Sequence, residues 1–69
     1  MSIAKVIEVL AEGDSIEAAI QTAVTEASET VRGIKHVYVD GVQAIVEDNQ
    51  VVKYRVNAKL TFVVDAQRD

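Results

Sequence analysis

The sequence predicts an α+β fold in the chain order β-α-β-β, with a three-stranded antiparallel sheet of order 1-3-2 wrapped on one helix. Three observations carry that prediction. Tyr54, Val56, Ala58, Leu60, Phe62 and Val64 alternate with Lys53, Arg55, Asn57, Lys59 and Thr61, the period-2 signature of a strand with one buried face. Ile16, Ala19, Ile20, Ala23, Val24, Ala27 and Val31 instead repeat at helical spacing. Turn-forming residues fall between these runs, and there is no Pro and no internal repeat.

Each element follows in order. Residues 3–11, rich in β-branched side chains and interrupted by Lys5 and Glu8, suit a first strand. Glu12-Gly13 turns the chain, and Asp14 with Glu17 three residues later forms a variant of the capping box, so the helix is predicted to open on Asp14. Gln21, Thr25, Glu26 and Glu29 fall opposite the apolar stripe and face solvent. Arg32 in the last turn and Gly33 as a left-handed C-cap close the helix. Residues 34–47 and 51–65 form the second and third strands. Asp48-Asn49, which tolerate positive φ, join them in a tight hairpin. A right-handed crossover from strand one to strand two leaves room for strand three between them.

Composition bounds the function. The 69 residues make one domain, and a domain of this size buries only about 60% of the surface its unfolded chain exposes. Small chains compensate with disulfides, a metal or oligomerisation. With no Cys and a single His, oligomerisation is the expected route. A net charge of −4 and a pI near 4.8 disfavour nucleic acid as a partner. No apolar run approaches the ~20 residues of a membrane span. Lys5 and Glu8 interrupt the opening segment, against a signal peptide, so a cytoplasmic location is expected. A lone His, no Cys and Ser15 beside the helix cap offer no nucleophile with a base, so the chain is read as a binding protein, not an enzyme. Asp40, Glu47, Asp48 and Asp65 lack the spacing of a calcium loop, and no metal site is expected within one chain.

The sheet face away from the helix draws attention. Strict alternation places Ile34, His36, Tyr38 and Asp40 there with Lys53, Arg55, Asn57 and Lys59. Imidazole, phenol and guanidinium groups on an uncovered sheet form a candidate platform for a planar ligand, or a contact between subunits.

The ordered combination of Lys5-Val6-Ile7-Glu8, Ala27-Ser28-Glu29-Thr30-Val31 before Ile34, Val46-Glu47-Asp48, and Tyr54-Arg55-Val56 before Phe62 resembles the dodecin family. The similarity runs from residue 3 to residue 65. It implies a hollow homododecamer that binds flavin at subunit interfaces and stores or sequesters it without chemistry, the flavin being riboflavin, FMN or FAD. It also implies a Trp early in strand two that stacks on the flavin ring, and a Gln after the Tyr of strand three that bonds the ring's polar edge. Here His36 holds the Trp position and Arg55 the Gln position, with Tyr38 one pleat beyond His36 as a second stacking candidate. Imidazole is a smaller platform than indole, and Arg55 could hold a phosphate in place of the ring edge. The alternative reading is therefore a dodecin-like cage that has lost flavin and serves as a structural assembly or binds coenzyme A, calcium or another ion.

Overall fold

A computed structural model of the protein describes residues 2–65. Strand β1 (Ser2–Gly13) is followed by helix α1 (Ile16–Ala27), strand β2 (Ile34–Glu47) and strand β3 (Gln50–Asp65). The sheet has the order β1-β3-β2 with both pairs antiparallel, as the crossover argument requires. Asp48 and Asn49 take φ of 52° and 62°, the left-handed pair that a two-residue turn needs if its twist is to match that of the flanking strands.

The core lies between the helix and one sheet face. Ala19, Ala23 and Ala27 from α1 meet Ala11 of β1 and Val56, Ala58 and Leu60 of β3, all buried, and Ile7, Val9, Ile20, Val24, Val31, Val37 and Val39 pack around them. The alanine stripe lets the helix axis approach the sheet closely, so β3 fills the space with its larger side chains. Gly13 serves the same approach: a Cβ there would lie 2.6 Å from the Ala19 nitrogen and 2.8 Å from the Ala18 carbonyl carbon.

Four local expectations are corrected. The N-cap is Ser15, whose Oγ accepts from the Ala18 amide at 3.0 Å, and not Asp14. The helix ends at Ala27 instead of running on to Arg32: beyond it the Glu29 and Thr30 amides tighten to the carbonyls three residues back, Glu26 at 3.2 Å and Ala27 at 3.0 Å, and hydroxyls add to the last turn. Ser28 Oγ donates to the Thr25 carbonyl at 2.8 Å and Thr30 Oγ1 to that of Ala27 at 3.3 Å. Gly33 does adopt the left-handed conformation, with φ of 75°, but it bends the connection into β2 rather than capping the helix. Finally, Ile34 does not share a face with His36. A register shift falls between them, so Ile34 packs against the core while His36 points to the open side.

Candidate ligand site on the open sheet face

Register defines the open face. Val56, Ala58, Leu60 and Phe62 are buried toward the helix, so Lys53, Arg55, Asn57, Lys59 and Thr61 of β3 project the other way. Residues directly opposite in an antiparallel pair share a face. Glu12, Leu10 and Glu8 of β1 therefore flank Arg55, Asn57 and Lys59 on one side. Gln43, Gly41, Tyr38 and His36 of β2 flank Arg55, Asn57, Lys59 and Thr61 on the other. Among the described residues nothing covers this face: Tyr38 is 62% exposed and Leu10 is 69% exposed.

Arg55 is already engaged. Its Nε and Nη2 both donate to Glu12 Oε2, at 3.1 and 2.8 Å, and Lys53 Nζ lies 3.9 Å from Glu12 Oε1. The hydrogen bond from Arg55 holds the Glu12 carboxyl below its ordinary value. Desolvation opposes this, and the charges of Arg55 and then Lys53 add to the lowering. The cluster thus gathers two cations, Arg55 and Lys53, around one carboxylate, with the guanidinium held by two hydrogen bonds. A second ion pair, Lys59 Nζ to Asp40 Oδ2 at 3.8 Å, stands beside Tyr38.

His36, Tyr38 and Arg55 occupy the same face but not the same spot. Tyr38 pairs with Lys59 and His36 with Thr61, which puts them about 13 and 20 Å from Arg55 along the sheet at about 3.3 Å per residue. Within one chain, Tyr38 is the nearer aromatic partner of Arg55. Between them lies a shallow recess of about 260 Å³ lined by Leu10, Gly41, Val42, Gln43, Arg55 and Asn57. Asn57 Oδ1 is buried there without a hydrogen-bond partner. A Cβ at Gly41 would meet nothing within 4 Å, so the glycine leaves the recess open.

Sequence reasoning named Arg55, Tyr38 and His36, and the structure places all three on this face; it did not name Gln43 or Glu12, which the register puts beside Arg55. A second register shift in β2, between Val39 and Gly41, explains the first miss. Strict alternation from Val39 would send Gln43 toward the helix, whereas the extra residue Asp40 returns it to the open face beside Arg55. Among the described residues, no cluster of three or more His, Cys, Asp or Glu is arranged to hold a metal ion. No helix among them is long and apolar enough to cross a membrane.

A family model described as Dodecin matches residues 3–65, nearly the whole chain. The protein belongs to the dodecin family. The dodecin of Streptomyces coelicolor is 33% identical, with 96% of each chain covered and a TM-score of 0.87. An arginine-to-alanine mutant of the Thermus thermophilus dodecin is 24% identical over 97% of this chain and 100% of that one, with a TM-score of 0.88. The Streptomyces davaonensis dodecin is 22% identical over 93% and 96%, with a TM-score of 0.85. The last two likenesses establish the fold alone. No curated protein matches the chain. Dodecin membership supports small-ligand binding and self-association.

Proposed function

We propose that this dodecin is the protomer of a hollow cytoplasmic homododecamer that stores or sequesters flavin at its subunit interfaces without chemical turnover. The observation that carries the reading is the incomplete enclosure of the site. Aromatic and cationic side chains suited to a planar ligand stand on a sheet face that no second layer of the described residues covers. The recess between Tyr38 and Arg55, about 260 Å³, falls short of the roughly 300–1,000 Å³ of pockets that enclose a whole ligand. A second copy of the chain supplies the missing wall, with His36 or Tyr38 as the stacking platform and Arg55 at the ring edge. Riboflavin, FMN and FAD share that ring. The Glu12 carboxylate on Arg55 competes with a phosphate for the guanidinium, which favours ring-edge contact over the coenzyme A or phosphate alternative.

Solution mass and fluorescence test the two halves separately. Twelve copies of a 7.5 kDa chain give a particle of about 90 kDa. Riboflavin and FMN added to that particle should lose fluorescence as their rings stack. A large particle that quenches neither flavin at tens of micromolar, roughly the −6 to −7 kcal/mol regime, would remove the flavin and leave the assembly. A monomer would remove the assembly.

A further inference from the structure

The flavin ring ends in an imide: an N–H, the ring's N3, flanked by two carbonyls. Such an edge asks its site for one acceptor between two donors. Arg55 has five N–H donors and no acceptor, and two of those donors are spent on Glu12. Alone it answers the carbonyls and leaves the N–H unmatched. The side chain paired directly with it across the strands is Gln43, exposed and lining the same recess. An amide offers both a carbonyl acceptor and an NH₂ donor in one plane, and directly opposed side chains stand within about 5.5 Å at Cβ.

We propose that Gln43 is a specificity-determining residue of the ring-edge site, reading a ligand's imide jointly with Arg55. Gln43 Oε1 accepts the ring N–H, while Gln43 Nε2 and the unspent guanidinium N–H groups donate to the flanking carbonyls. Glu12 takes two of the donors of Arg55 and holds the guanidinium in place across from Gln43. The open position at Gly41 admits the ring beside them. This assignment rests on the flavin reading and names the chemistry by which this chain would recognise the ring.

Riboflavin and N3-methylriboflavin, which lacks the imide N–H and keeps the rest of the ring, separate the outcomes. Both are titrated by fluorescence quenching into the purified wild-type protein and into Gln43→Leu, with solution mass and circular dichroism confirming that the variant retains its fold and assembly. Wild type should prefer riboflavin by about tenfold or more, the discrimination expected when a site built for a hydrogen bond meets a ligand that cannot make it. In Gln43→Leu the preference should disappear through weaker riboflavin binding. Riboflavin binding with no preference in wild type, or a preference that survives in Gln43→Leu, overturns the role of Gln43 and leaves flavin binding standing. Binding of neither flavin overturns both.

Discussion

At the residue scale, the most informative position is Glu12, the one described side chain whose titration is clearly displaced. Its pKa is lowered on folding, so its contribution is fully present above the ordinary 4.5 and is lost as pH falls through the lower folded value. The thermal midpoint of wild type minus that of Glu12→Gln should be constant above about pH 5.5 and shrink below the ordinary carboxylate range. A difference that instead grew on acidification would show that Glu12 is not the anion holding Arg55. His36 carries a separate expectation. Supplying indole with His36→Trp should tighten flavin binding by about 1 kcal/mol or more, roughly fivefold in a fluorescence titration. An unchanged affinity would locate the stacking elsewhere, with Tyr38 the first alternative. The readable part of this site was the part carried by residue type: aromatic rings and guanidinium groups announce themselves on an alternating strand. Gln43 was not readable because an irregularity in the β2 register sets its face, and the Glu12–Arg55 pair was not because the regular register of β1 on β3 joins residues 43 apart with no local signal to fix it.

At the scale of the elements, order and pairing were legible because each strand carries its own period and the Asp48-Asn49 turn carries its own chemistry. What escaped were places where two signals compete. Asp14 and Ser15 are both good caps, and only the geometry of the first turn selects Ser15. Residues 34–47 form a run with too little polar alternation to betray where an extra residue enters, so the shifts after Ile34 and Val39 leave no mark in the sequence. The junction between β1 and α1 makes a quantitative prediction. In Gly13→Ala the added methyl meets backbone of residues 18 and 19, which cannot rotate away, and overpacking of this kind costs about 1–3 kcal/mol. Gly41→Ala adds the same methyl in open space. Thermal unfolding should show a clear drop for the first variant and none for the second. Equal midpoints would mean that the helix is free to shift off the sheet.

At the scale of the whole molecule, the β2–β3 hairpin outruns its cover. The 12-residue helix spans about 18 Å, whereas the molecule extends over 58 Å. Beyond the helix, Val42, Val46, Val51 and Val52 remain 43–57% exposed, a run of apolar surface that self-association would bury. Val46→Glu leaves the protomer's own core untouched and should convert the large particle to smaller species by solution mass, while circular dichroism stays that of wild type. Retention of the full particle would show that the arm faces solvent or the interior of the cage. The sheet order has one more consequence, in time rather than space. Every strand pair runs through β3, which comes last of the three in the chain, and the β1 register joins residues as distant as Ser2 and Asp65. On a ribosome, β1 and the helix emerge with no strand to receive them. The sheet closes only once β3 is out, by long-range pairings of the kind that fold slowly.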